Sequence, residues 1–331
     1  MLVNLLTVQS ELSAEDLPSI CLRQRLAAHL RMARLDHCIK QAFIFPGIVL
    51  AMALTGHRMD LGMAVNLCIG LLSATLIAGS NYVLNEMLDA PYDRLHPAKK
   101  ARPAACGMVH FGWGFAQWIL MMVAGVALAQ VLSRGFLFSA AAFWLMGCVY
   151  NIAPIRSKDL PYIDVLSESV NNPLRFCLGW FMVTAAVLPP LSVLLSYWML
   201  GAYFMALKRF SEYRQIGDHT LAGSYRKSFR FYSQESLLNS VIFYAAASML
   251  FFGAFIMRYR MELILSFPLV AWLMAIYFGL SFRPDSSVQY PEKLYRERKL
   301  MSVLTLCIAA FVLLLFVDIP WLSALFPKSH S

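Results

Sequence analysis

The feature that most constrains this chain is a series of nine apolar runs, near 40–56, 61–84, 112–132, 136–152, 163–184, 188–207, 235–257, 262–281 and 300–318. Each approaches the ~20 residues that a helix needs to cross a hydrocarbon core ~30 Å thick. Lipid offers the backbone no water, so a spanning segment must be a helix or a strand of a closed barrel. None of the runs alternates as barrel strands do. The expected fold is an all-α membrane protein with nine transmembrane helices in one bundle. The fourth run is short. The fifth carries Asp164, Glu168, Asn171, Asn172 and Arg175, which implies a wet cavity beside it. Composition agrees, with 59% hydrophobic and 14% charged residues, against about 45–50% and 25% in soluble domains.

The net charge of +9 would also suit a nucleic-acid binder. Here the basic residues lie in loops between apolar runs, so membrane lipids and not nucleic acid are the expected partner. With nine spans, the N-terminal side holds 22 Lys and Arg and the other side 5, with Arg175 inside a span. That asymmetry predicts a cytoplasmic N-terminus and cytoplasmic loops 85–111 and 208–234, in a bacterial inner membrane. The first residues have no basic n-region and carry Glu11, Glu15 and Asp16, unlike a signal peptide.

Two units are expected. Residues 1–39 are a lead-in and an amphipathic helix, with Leu22, Leu26, Leu30 and Ala33 on one stripe and Arg23, Arg25, Arg31 and Arg34 interleaved. Such a helix suits an anionic membrane surface, or else packs on protein. Residues 40–331 form the transmembrane catalytic domain. The seven cysteines include no C-x-x-C pair and read as buried small hydrophobes.

Three polar constellations interrupt the apolar pattern. Asn85, Asp89 and Asp93 are four apart and share a helical face. Glu86 and Tyr82 lie near the same turn, and Arg94, His96, Lys99, Lys100 and Arg102 follow. Oxygen ligands beside cations suit Mg²⁺ and a phosphate group, because Mg²⁺ keeps waters and shares phosphate oxygens. The second constellation is Lys208-Arg209-Phe210-Ser211-Glu212, where a Lys208–Glu212 pair on one face could orient a phosphate or a sugar hydroxyl. The third is the polar set of the fifth run, which lines a cavity or else forms a structural Glu168–Arg175 pair. Lys40 and Gln41 add polar groups at the start of the first run.

The pattern Asn85-x-x-x-Asp89-x-x-x-Asp93, followed by His96-Pro97-x-Lys99 and Arg102-Pro103, resembles the first aspartate-rich motif of the UbiA superfamily of membrane prenyltransferases. The resemblance runs from about residue 22 onward. It implies a nine-helix bundle with a cytoplasmic polar cavity, and metal ligation by Asn85, Asp89 and Asp93. The common family pattern has a second Asp-x-x-x-Asp for a second metal; here Lys208 to Glu212 stands in its place. That departure is similar to the decaprenyl-phosphate phosphoribosyltransferase branch, which Tyr150-Asn151, Asp164 and Arg175 also fit loosely. The branch implies Mg²⁺-dependent transfer from phosphoribosyl diphosphate to a polyprenyl phosphate. Asp89, Asp93, Lys208 and Glu212 would be catalytic. Asn85, Lys99, Arg102, Arg209, Lys40, Tyr150 and Arg175 would bind substrate. The family often has Asn-Asp where this chain has Asn85-Glu86, which leaves open whether Glu86 reaches the metal.

Two other readings fit parts of the pattern. One is transfer of an isoprenyl group from a prenyl diphosphate to an aromatic or other acceptor. The other is a transporter or lipid-binding protein whose pathway is lined by Glu168, Asn171, Asn172 and Arg175.

Overall fold

The computed structural model describes residues 21–94, 99–284, 286–289 and 291–325. Among the described residues the chain is helical, without strands. His96 and residues 1–20 of the expected lead-in lie outside the described residues. Helix α1 (Leu22–Met32) leads through a tight helical segment, Leu35–Ile44, into α2 (Phe45–Thr55). Then follow α3 (Leu61–Asp93), α4 (Phe111–Leu132) and α5 (Arg134–Asn151). The middle of the chain holds α6 (Ile163–Ser169), α7 (Asn171–Val183) and α8 (Leu191–Ile216). The remainder is α9 (His219–Tyr225), α10 (Gln234–Tyr259), α11 (Phe267–Leu280), α12 (Arg298–Phe316) and α13 (Pro320–Leu325).

Six helices are long and apolar enough to cross a membrane: α3, α4, α8, α10, α12 and the continuous stretch Met261–Leu280 that ends in α11. The other three expected spans are helical but shorter or more polar. The first is a short apolar helix over Lys40–Thr55. The fourth, α5, has 18 residues and ends on Arg134 and Asn151. The fifth breaks at Val170 into α6 and α7. Pro173 explains the break, because it has no amide hydrogen to return to the preceding turn. Side chains add donors to the carbonyls around the break. Asn171 Nδ2 donates to the Glu168 carbonyl at 3.0 Å, and Trp198 Nε1 donates to the Leu166 carbonyl at 3.0 Å. A broken helix within a bundle is tolerated when its backbone is satisfied in this way.

Helix α3 is 33 residues long, about 50 Å at ~1.5 Å per residue. That exceeds a ~30 Å hydrocarbon core, so its last turns project beyond it. Asp60 caps its start, accepting from the Met63 amide at 2.7 Å. The 26-residue α8 overshoots at the same end of the bundle, and both helices carry their charged residues in their final turns.

Packing follows small residues. A Cβ on Gly47 would lie 2.1 Å from the Phe176 carbonyl oxygen, and one on Gly179 would lie 2.1 Å from that of Ile44. Glycine at both positions lets α2 and α7 approach backbone to backbone. Ser196 and Ser248 exchange hydroxyl-to-carbonyl hydrogen bonds of 3.0 and 3.1 Å between α8 and α10. One apolar core joins Ile44, Ile48, Ile77, Phe143 and Leu178; another joins Tyr203, Leu207, Val241 and Tyr277. Leu72, Leu120, Phe138, Leu250 and Leu313 point outward.

Helix α1 differs from its expected stripe. Ala28, Met32 and Ala33 are buried against Val83, Met87 and Ala90 of α3, while Leu22, Leu26 and Leu30 face outward. Ala33 therefore leaves the exposed stripe. His29 Nδ1 also meets Gln117 Oε1 at 3.0 Å. The cysteines correct their reading in part. Cys307 is buried, but Cys21, Cys68 and Cys106 are exposed.

Candidate active site

The projecting ends of α3 and α8 meet the loop after α5, helix α6 and the segment after α9 in one network of charges. Asp89 lies at its centre. Its Oδ1 accepts from Lys158 Nζ at 2.5 Å and from Arg156 Nη2 at 3.0 Å. Its Oδ2 accepts from Asn85 Nδ2 at 3.2 Å. Asn85 Nδ2 and Lys158 Nζ both reach Asn151 Oδ1, at 2.6 and 2.8 Å. One turn further along α3, Asp93 accepts from Arg102 Nη1 at 2.6 Å. The spacing of Asn85, Asp89 and Asp93 thus places all three on the inward face, as expected from a 3.6-residue period.

A second half of the network forms on α8. Arg209 is buried and bonds three carboxylates: Glu168 at 2.6 Å, Asp164 at 3.2 Å and Glu212 at 3.5 Å. Glu212 also faces Lys99 Nζ at 4.0 Å, which ties the loop after α3 to α8. Tyr150 donates its hydroxyl to Glu168 at 3.0 Å. Asp164 is fully buried and accepts from Arg209, Arg226, Ser228 and Tyr232. It thereby pins the segment 226–232 over the site.

Several expected pairings are replaced. Lys208 and Glu212 share a helix, but Glu212 pairs with Arg209 and Lys99 instead. The planar guanidinium of Arg209 can address several carboxylates at once, as a lysine cannot. Glu168 pairs with Arg209 and Tyr150 and not with Arg175, because the break at Val170 separates it from α7. Arg175 instead lies 4.6 Å over the Phe143 ring. Lys40 stands 5.5 Å from the centre of the Tyr82 ring. Gln41 is used by the scaffold, donating to the Ala74 carbonyl at 3.2 Å. Glu86 is buried on another face of α3, where it meets Arg34 at 3.3 Å and the Ala104 amide at 3.3 Å. It ties α1 and the loop after α3 together.

Arg156, Lys158 and Arg226 were legible in the sequence only as loop charges. Each comes from a segment remote from the motifs, so only the fold brings it to the site. Burial pushes the Lys158 ammonium down to about 8, against the pull of Asp89. Burial also lowers Lys99. Burial opposes the charge of Arg226 too, but Tyr150, Glu212, Asp164 and Glu168 hold it well above its usual range. Among the described residues, the non-glycine positions with positive φ are Arg34, Arg156 and Tyr162. Two of them flank this network, where strained backbone is concentrated in many proteins.

Among the described residues no three His, Cys, Asp or Glu side chains converge as a metal cluster. The donor set nonetheless fits Mg²⁺ in its substrate-sharing form. Asp89 and Asp93 present two carboxylates one turn apart beside Asn85. Mg²⁺ takes one or two carboxylates and completes its shell with water and substrate phosphate. The surrounding cations suit that phosphate.

Residues 43–303 match the model of the UbiA prenyltransferase family. The decaprenyl-phosphate phosphoribosyltransferase of Mycolicibacterium smegmatis is 29% identical over 168 residues, 49% of each chain. The nodulation protein NoeC of Azorhizobium caulinodans is 27% identical over 187 residues, 55% of this chain and 56% of that one. The chain thus matches about half the length of these curated relatives. A solved UbiA homologue from Archaeoglobus fulgidus, bound to GPP and Mg²⁺, superposes with a TM-score of 0.63 at 20% identity, covering 88% of this chain and all of that one. A homologue from Aeropyrum pernix gives 0.60 at 15% identity, covering 84% and 98%.

Proposed function

The chain belongs to the UbiA prenyltransferase family, and we propose that it transfers a 5-phosphoribosyl group from phosphoribosyl diphosphate to a polyprenyl phosphate. The observation that carries this reading is the end of α8. Where a second metal-binding aspartate pair would stand, the chain has Lys208, Arg209 and Glu212, with both Glu212 oxygens facing cations. The cations held at Glu212, Lys99 and Arg209, suit a donor with more phosphate than one metal can neutralise. The relative from Mycolicibacterium smegmatis bears the matching name.

In this reading Asp89 and Asp93, with Asn85, would hold Mg²⁺, which would supply counter-charge to a departing diphosphate. Lys99, Arg102, Arg156 and Lys158 surround the same position and stabilise that leaving group. The bond from C1 of the ribose to the diphosphate oxygen breaks, and its electron pair leaves with the diphosphate. An oxygen of the lipid phosphate forms the new bond to C1. A phosphate monoester is ionised at neutral pH, its second pKa lying near ~6, so no general base is required. Glu212, held by Lys99 and Arg209, is placed to accept from ribose hydroxyls. Lys208, Tyr150, Lys40 and Arg175 complete the binding walls.

The same reading places α2, α5 and the broken α6–α7 beside the six long helices as nine crossings. The polar network then faces the cytoplasm, in a bacterial inner membrane. Residues 22–32 lie along the membrane surface through Leu22, Leu26 and Leu30, with residues 40–331 as the catalytic domain.

The test is incubation of the purified full chain in nanodiscs with Mg²⁺, phosphoribosyl diphosphate and a polyprenyl phosphate. Mass spectrometry should find a lipid heavier by one phosphoribosyl group, and none when Mg²⁺ is chelated. Product formed only from a prenyl diphosphate and an aromatic acceptor would replace this reading with prenyl transfer. Movement of substrate across sealed vesicles without any product would replace it with transport.

A further inference from the structure

Beyond the carboxylate network lies a group of cations without matching carboxylates. Arg175 sits one turn inside α7, which packs among Leu35–Ile44, α3, α5 and α8. Its side chain is 6% exposed. Its Nη1 reaches only the Asn171 carbonyl, at a long 3.4 Å, and its buried Nε has no hydrogen-bond partner among the described residues. Its other contact is the face of Phe143. The carboxylate of this region, Glu168, is already committed to Arg209 and Tyr150. Lys40 contributes an ammonium that rests on the Tyr82 ring. Lys208 enters from α8 and makes no ion pair within 4.0 Å among the described residues. The two lysines act electrostatically on Glu168 and on each other.

A buried guanidinium with an unused donor is costly unless an anion or other acceptor answers it. In the upper layer every carboxylate already faces cations: Asp89 has Arg156 and Lys158, and Asp93 has Arg102. That layer pairs acids with bases and suits a phosphate that arrives with a metal. The lower layer has three cations and one carboxylate already in use, so it suits an anion that arrives without one. Its floor is apolar. Phe143, under Arg175, belongs to the core of Ile44, Ile48, Leu178 and Met182 that runs into the interior of the bundle. An anion bound here would have a hydrophobic path behind it.

We propose that Arg175, Lys40 and Lys208 form a second anion subsite, which takes the phosphate monoester at the head of an isoprenoid acceptor. It is separate from the donor diphosphate position at Asp89 and Asp93. The proposal rests on the phosphoribosyl-transfer reading above for the role of that phosphate, but its binding test does not need the reaction.

The test uses the full chain in nanodiscs of neutral phospholipid. Farnesyl phosphate serves as acceptor probe and Mg²⁺ with phosphoribosyl diphosphate as donor probe, each followed by calorimetry. Lys40→Ala and Lys208→Ala should each weaken farnesyl phosphate about 10–100-fold, the range for loss of one charged hydrogen bond, and change donor affinity less than about threefold. Arg175→Lys, which keeps the charge but loses the planar fork, should weaken the same probe. Farnesol binding should not respond to any of the three. Because both lysines are only partly buried, their variants remain informative if Arg175 variants fail to fold. Three results would each overturn the proposal: wild-type farnesyl phosphate affinity in both lysine variants, parallel loss of donor and acceptor binding, or inorganic phosphate binding as tightly as farnesyl phosphate. Lysine-dependent farnesyl phosphate binding without phosphoribosyl product would support the subsite and remove the donor assignment. Transfer with an unchanged KM for farnesyl phosphate in both lysine variants would do the reverse.

Discussion

At the scale of single residues, identical chemistry on neighbouring positions of α3 does different work. Asp89 meets two cations and an amide in the site, whereas Glu86 is buried against Arg34 and the Ala104 amide. Asp89→Asn keeps the shape but removes the charge. It should lower transfer at least ~100-fold, the loss typical when one charge-stabilising group is removed, in an assay with saturating Mg²⁺. Glu86→Gln should instead leave the Mg²⁺ dependence intact and loosen α1, seen as faster proteolysis near residue 34 in limited digestion. Asp164 gathers four donors while fully buried. Removing its charge strands Arg209 and Arg226. Asp164→Ala should cost about 3–5 kcal/mol, as breaking buried pairs does, read as a lower thermal midpoint in detergent. The acid spacing of 85, 89 and 93 was plain from the sequence. The partners of Asp164 were not, because Arg209, Arg226 and Tyr232 lie 45, 62 and 68 residues away.

At the scale of elements, the site exists because the charged ends of α3 and α8 meet and a third helix is broken. The last two turns of α3 and α8 carry Asp89 and Arg209 into one network of charges. The break before Pro173 lets α6 turn Glu168 toward Arg209 while α7 carries Arg175 inward. Hydropathy alone merged these two pieces into one span, since it averages over a window and does not register a lost amide donor. The crossing of α2 and α7 depends on Gly47 and Gly179. Gly179→Leu puts a side chain where the Ile44 carbonyl lies and must push α2 away. It should lower the thermal midpoint and reduce activity together, whereas Gly253→Ala, where an added Cβ meets nothing within 4 Å, should change neither.

At the scale of the whole molecule, the basic residues cluster at the end of the bundle that holds the site. The charge asymmetry predicts that this end is cytoplasmic. With every other cysteine replaced by serine, exposed Cys106 should react with a membrane-impermeant maleimide only after the cells are permeabilised. Arg134→Cys in a chain lacking the native cysteines should react in intact cells. Reversed labelling would invert the orientation. By itself the sequence determined the class of the protein, because a chain this apolar must satisfy its backbone in helices. It also determined the inward face of α3, because a four-residue spacing keeps side chains in line on any helix. Only the tertiary structure decided which charges meet. Lys158 on Asp89, Arg226 on Asp164 and Glu212 on Lys99 in place of Lys208 are contacts between segments far apart in sequence. Their pairing follows from where helices end, break and cross, and local periodicity carries no record of that.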